Sequence, residues 1–215
     1  MRKEVCFANG SSAWRLPEEK DFPEIHPNVL TEERLKAGWK PFDRDAESFA
    51  RYWAVPGMEG AMHRVGGLEK DFNTSVISTD GPNHAKMVEA RRQKVARIAN
   101  DIPDLAVMGD KNADTILVGW GGTYGHLLTA ATELNAEGTP VALAQFRYIN
   151  PLPKNALEVL RGFKNIIVAE LNTGMFADYL QMHLPGKDIR RINKVEGQPF
   201  LVKEIKDGVH EILNA

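Results

Sequence analysis

One cysteine, almost no net charge and no long apolar run set the first limits on this 215-residue chain. Cys6 alone cannot form a disulfide within the chain, and it rules out a cysteine-ligated zinc or iron–sulfur centre wholly the chain's own. With 27 basic and 29 acidic residues the formal charge is −2, so no cationic excess exists to hold nucleic acid. No apolar stretch approaches the roughly 20 residues needed to span a bilayer, and no basic-then-apolar signal pattern opens the sequence. A cytoplasmic protein without nucleic-acid or membrane partners is the expectation. The six histidines are scattered, none paired at the i, i+4 spacing that puts two imidazoles on one helix face, so no metal site is expected.

What is present divides in two. Up to about residue 60, Pro17, Pro23, Pro27, Gly38, Pro41, Pro56, Gly57 and Gly60 interrupt every apolar period, and only Lys3 to Gly10 reads as a short strand. Too little apolar surface is left there to offset the ordering entropy of a domain, so this segment must lie on something else. A strand with no obvious partner suggests that the chain is part of a longer polypeptide. Residues 51 to 82 read as a long ordered loop, of the kind that is functional or wraps a partner. A connector helix follows, with Asn83 as N-cap and a partial apolar face of Met87, Val88, Val95 and Ile98. Limited proteolysis is expected to trim the N-terminal segment before residues 105 to 213.

From Leu105 short apolar runs alternate with helical stretches. LAVMG and TILVGWGG precede a helix over about Tyr124 to Leu134, and Gly138 stops it before VALAQF. A helix over Lys154 to Gly162, the strand NIIVAEL, a helix over Gly174 to Leu184, the strand DIRRINKV and a last helix with Val202, Ile205, Val209 and Ile212 on one face complete the pattern. Strands too apolar for a half-exposed sheet, alternating with helices, predict a three-layer α/β/α domain with a mostly parallel sheet. Residues 1–104 are assigned to the loop-rich segment and connector helix, and 105–215 to this domain.

The glycine knot in Asp114 to Gly125 sits where a phosphate-binding loop would. Its spacing does not fit one. Counted from Gly119, the third glycine of a dinucleotide fingerprint falls on Tyr124, the next strand ends in Gln145, Phe146 and Arg147 with no acid for a ribose, and no lysine follows as in a P-loop. Close packing of strand on helix is the favoured reading of these glycines. Beyond the strand ends, Arg147 is a candidate anion contact or an ordinary salt-bridge partner. Glu170, Asn172 and Gly174 occupy the equivalent place after the next strand, where N-cap chemistry is favoured over direct catalysis. No nucleophile–base pair or paired carboxylates stand out, so no catalytic, cofactor-binding or metal-ligating residue is assigned.

Several stretches together carry a resemblance: FANGSSAWRLP, VPGMEGAMHRVGGLEKD, GPNHAKMVEARRQKV, NADTILVGWGGTYG, FRYINPLP, VAELNTGMFADYL and INKVEGQPF, in that order. The chain resembles the C-terminal part of the alpha subunit of 2-oxoacid:ferredoxin oxidoreductases, the 2-oxoglutarate type above all. That resemblance implies thiamine-diphosphate-dependent cleavage of a 2-oxoacid to carbon dioxide, transfer of the acyl unit to coenzyme A, and electron flow through iron–sulfur clusters to ferredoxin. It makes residues 1–104 the end of a pyrimidine-binding thiamine domain with a linker, and 105–215 a transketolase C-terminal-like domain. The thiamine diphosphate, magnesium and clusters are then held by a beta subunit and by upstream sequence, none by this chain alone, which is expected to be inactive in isolation. Arg147, Glu170, Asn172 and Gly174 become candidates for the substrate or coenzyme A side, or for an interface. Two departures stand out: Lys70 where relatives carry histidine, and Met175 where they carry glutamine. Another oxoacid (pyruvate, branched-chain or indolepyruvate), a homodimer, and a non-catalytic α/β scaffolding module remain open.

Overall fold

In a computed structural model, residues 16–110 and 112–214 are described. The strand expected at Lys3 to Gly10 lies outside them. The chain forms two compact units that meet in sequence between Asp101 and Ile102.

The second unit is built on a sheet of five strands: β1 Val107–Gly109, β2 Thr115–Trp120, β3 Val141–Phe146, β4 Asn165–Glu170 and β5 Ile189–Asn193. Their order is β1-β3-β2-β4-β5, and only β1 runs antiparallel to its neighbour. β2 is buried from Thr115 to Gly119 because ILV leaves no polar position for a solvent face, which makes it the central strand. Side chains alternate across the sheet. Ile116, Val118, Ala142, Ala144, Ile166 and Val168 face one layer, which includes Ala156 and Leu160 of α4 (Ala156–Arg161) and Phe176, Ala177 and Leu180 of α5 (Met175–His183). Leu117, Val141, Leu143, Ile167 and Ala169 face the other. There they meet Leu127, Ala130, Ala131 and Leu134 of α3 (Tyr124–Ala136) and Ile205 and Val209 of α6 (Val202–Asn214). The three layers are those the alternating pattern predicts.

The first unit is organised differently. It contains α1 (Glu32–Lys36), α2 (Gly81–Arg97) and long stretches of bends and isolated bridges. Among its described residues only Leu30, Phe42, Ala61, Met87 and Ala90 are buried apolar side chains. Arginines supply much of the rest: Arg34, Arg44, Arg51 and Arg97 stack on Tyr52, Phe72, Phe42 and Phe49 at 3.7, 4.2, 4.5 and 3.8 Å. Arg44 Nη1 also donates to Phe42 O and Phe72 O, and Arg97 Nη1 to Ala46 O and Glu47 O. The start of α2 corrects the sequence reading. Asp80 is the N-cap, its Oδ2 accepting from Asn83 N at 2.8 Å. Asn83 is buried instead, because its amide clasps the preceding loop: Oδ1 accepts from Phe72 N and Nδ2 donates to Lys70 O. The buried stripe of α2 is therefore Asn83, Met87 and Ala90, while Val88, Val95 and Ile98 stay 40–45% exposed.

The turn from β5 into α6 is fixed by charge. Lys194 Nζ donates to both oxygens of Glu204 at 2.7 and 2.8 Å, and Glu204 Oε2 also accepts from Leu201 N. The lysine first, then the backbone N–H, holds the Glu204 carboxyl below its ordinary value of 4.5. A depressed carboxyl contributes stability above its unfolded value and loses it as pH falls through the folded one. Glu204→Gln is therefore expected to lower the urea midpoint at pH 7, and the gap between the two proteins should narrow as pH falls below 4.5 and through the folded value.

Candidate functional site

In an open parallel sheet the crevice beyond the strand ends is widest where successive connections leave in opposite directions. Here that place is β2 beside β4. The chain leaves β2 for α3 on one face, and leaves β4 for α5 on the other. The residues at these ends are the ones that sequence reasoning marked: the glycine knot after β2, Arg147 after β3, and Glu170 to Gly174 after β4.

Glu170 is wholly buried. Its Oε2 accepts from Trp120 Nε1 (3.1 Å), Asn172 Nδ2 (3.0 Å) and Phe176 N (2.9 Å), and its Oε1 from Ala177 N (2.9 Å). All four partners are N–H donors, the set that suits an acceptor-only carboxylate. Asn172 Oδ1 accepts from Gly174 N and Met175 N at 2.7 and 2.9 Å. Two side chains thus satisfy all four backbone donors that a helix start leaves without partners. The negative charge lies at the positive end of the α5 dipole. Gly174 makes the geometry possible: it is the N-cap at φ +101°, a left-handed conformation that a side chain would strain.

Trp120 closes the crevice from the β2 side. Its indole reaches across to Glu170, and its ring lies edge-on to Phe176 at 6.4 Å, which packs on Phe146 at 5.0 Å. Nothing in its sequence position announced this role beyond a large aromatic ending a buried strand just before glycines. Of these glycines Gly119 is filled space, whereas a Cβ on Gly121 or Gly125 would meet nothing within 4 Å. A Cβ on Gly119 would stand 2.1 Å from Leu127 Cδ1, 2.7 Å from Thr123 Oγ1 and 2.9 Å from Gln145 Oε1. Gly121 turns the chain at φ +60°, and its carbonyl accepts from Gln145 Nε2. At Gly119, therefore, no room is left for a phosphate.

Arg147 is the one sequence-marked rim residue with an exposed side chain. It borders a cleft of about 280 Å³ together with Asp104, Tyr124, Gln145 and Tyr148. Glu170, Asn172 and Gly174 are brought together but turned inward, into the start of α5. No group of three or more His, Cys, Asp or Glu among the described residues could hold a metal ion. These residues do not fit thiamine diphosphate with its magnesium, and no step of its chemistry is derived through them. No described helix is long and apolar enough to cross a membrane.

Comparison with known proteins places this arrangement. Residues 113–205, from the start of β2 into α6, match the family described as pyruvate:ferredoxin oxidoreductase core domain II. The 2-oxoglutarate oxidoreductase subunit KorA of Mycobacterium tuberculosis is 39% identical over 208 residues, 93% of this chain and 30% of that subunit. The 2-oxoacid:ferredoxin oxidoreductase subunit alpha of Saccharolobus solfataricus is 30% identical over 157 residues, 71% of this chain and 24% of that one. The chain thus spans a third or less of the length of these curated relatives. Among solved structures, the 2-oxoglutarate:ferredoxin oxidoreductase of Magnetococcus marinus shares the fold with a TM-score of 0.78 and 24% identity, over 91% of this chain and 34% of that one.

The site predicts its own stability effects. Glu170→Ala strands four N–H donors and is expected to cost about 3 kcal/mol or more, whereas Glu170→Gln sets an amide against them and costs about 1–3 kcal/mol. Gly119→Ala should cost about 1–3 kcal/mol by overpacking. Denaturant midpoints of the purified chain measure all three.

Proposed function

Since the chain belongs to the family of 2-oxoacid:ferredoxin oxidoreductase alpha subunits, we propose that it serves, within a larger enzyme, the oxidative decarboxylation of 2-oxoglutarate. The acyl group passes to coenzyme A and the electrons to ferredoxin in a cytoplasmic complex with a beta subunit. The observation that carries this reading is the 39% identity to the KorA subunit, sustained across both units of this chain.

The part played by these residues is architectural. Thiamine diphosphate, when bound, supplies the site of carbon–carbon cleavage, and this reading places it, its magnesium and the iron–sulfur clusters in other parts of the enzyme. The second unit offers a strand-end rim with α5 locked by Glu170 and Asn172, and on the same rim, after β3, Arg147 borders its cleft. An exposed guanidinium there suits an anionic group of the substrate or of coenzyme A. The family description naming pyruvate gives the second reading, in which the oxoacid is pyruvate.

Three measurements test the proposal. In the purified complex that contains the full-length subunit, turnover of a panel of 2-oxoacids, followed by coenzyme A-dependent reduction of a viologen dye, should be fastest with 2-oxoglutarate. Arg147→Ala should raise the KM for coenzyme A or oxoacid by about 10-fold, the worth of a charged hydrogen bond, with little change in unfolding midpoint. Unchanged kinetics would remove Arg147 from the site. Titration calorimetry of thiamine diphosphate into this chain alone should give no heat of binding, and tight binding would overturn the placement of the cofactor.

A further inference from the structure

Among the described residues Phe49 is the one non-glycine with a left-handed backbone, at φ +58°. A side chain as bulky as phenylalanine is strained there, and the conformation persists only where its surroundings over-determine it. Two sets of contacts do so. Within the turn, Asp45 Oδ1 accepts from Glu47 N, Ser48 N and Ser48 Oγ, Asp45 O accepts from Phe49 N, and a bridge between Arg44 and Arg51 closes the base. From outside comes Arg97, in the last turn of α2. Its guanidinium lies on the Phe49 ring at 3.8 Å, and its Nη1 donates to Ala46 O and Glu47 O.

Burial holds neither side of this contact. Between Phe42 and Ala61, and again between Ala90 and Leu105, no residue is buried, whereas Asn83, Met87 and Ala90 anchor the first half of α2. A segment with few buried apolar contacts opens at a lower free energy than the core it adjoins. Arg97 therefore ties two weakly held segments to each other, the tip of the turn and the end of α2. Past that end come the 3₁₀ turn Ile98–Asn100 and, between Asp101 and Ile102, the crossing into the second unit.

We propose that the turn 45–49 and the end of α2 form a strained latch, closed by Arg97, that opens as one piece ahead of the rest of the first unit. Opening returns Phe49 to an ordinary backbone conformation and releases residues 94–101 from the turn. The latch thereby sets how much of the connector to the second unit is helix and how much is free tether. Amide hydrogen exchange, read by mass spectrometry on the full-length protein in its complex, tests this. Arg97→Gln should speed exchange at least 10-fold in 45–50 and in 94–101, the worth of a charged hydrogen bond, and leave 66–76 and 81–90 at parent rates. Phe49→Ala and Phe49→Gly both lose the stacked ring, but only alanine keeps the strain. Both segments should therefore exchange about 10-fold faster in the alanine variant than in the glycine one. At an ordinary position glycine is the looser of the two, so the order is diagnostic. Unchanged exchange in Arg97→Gln overturns the latch, and acceleration confined to 45–50 overturns its coupling to α2. Acceleration that spreads equally over 66–76 and 81–90 overturns its separate opening. A glycine variant that exchanges as fast as the alanine one, or faster, overturns the strain.

Discussion

The second unit depends on a buried carboxylate. Glu170 ends the strand beside the centre of the sheet, wholly buried, and a buried carboxylate is tolerated there only if both its oxygens meet donors. The donors come from three places: the indole at the end of β2, the amide two residues on, and the first turn of α5. Removing any one leaves the others with an unmet partner, so the end of β2, the end of β4 and the start of α5 hold one arrangement. That cooperativity is what gives the strand-end rim at the start of α5 a fixed geometry.

The three layers were legible because their cause is periodic. ILV in β2, VALA in β3 and IIVA in β4 carry no polar position, and a strand of that kind has to be covered on both faces. The last helix was legible from Ile205 and Val209 for the same reason. The start of α2 was not. Asn83 and Asp80 are both good caps, and the choice between them is made by a tertiary contact, the clasp of Asn83 on Phe72 N and Lys70 O, which no local pattern encodes. The partial apolar face drawn through Val95 and Ile98 misled for a related reason: the first unit has so small a core that apolar spacing on its helix does not report burial.

The candidate site was half legible. The Glu-Leu-Asn-Thr-Gly run after β4 carries cap chemistry on its face, and Asn172 does what its position suggests. The role of Glu170 could not be inferred, because a glutamate ending a strand is as often exposed as buried, and the partner that decides the matter, Trp120, lies 50 residues away. Two of the three elements that meet at Glu170 are local in sequence, and the third is joined to them only by the fold.

A glycine knot after a central strand invites a nucleotide, and the argument against one is steric before it is a matter of motif. In a phosphate loop the missing Cβ leaves room that a ligand uses. At Gly119 that room is taken by Leu127, Thr123 and Gln145. The glycine that would admit a phosphate here, Gly119, admits Leu127 of the α3 helix, and the helix, once seated, excludes the phosphate from that position. Small residues at a strand end therefore report close approach of backbone to something, and only the side chains facing the gap decide whether that something is a ligand or the protein itself.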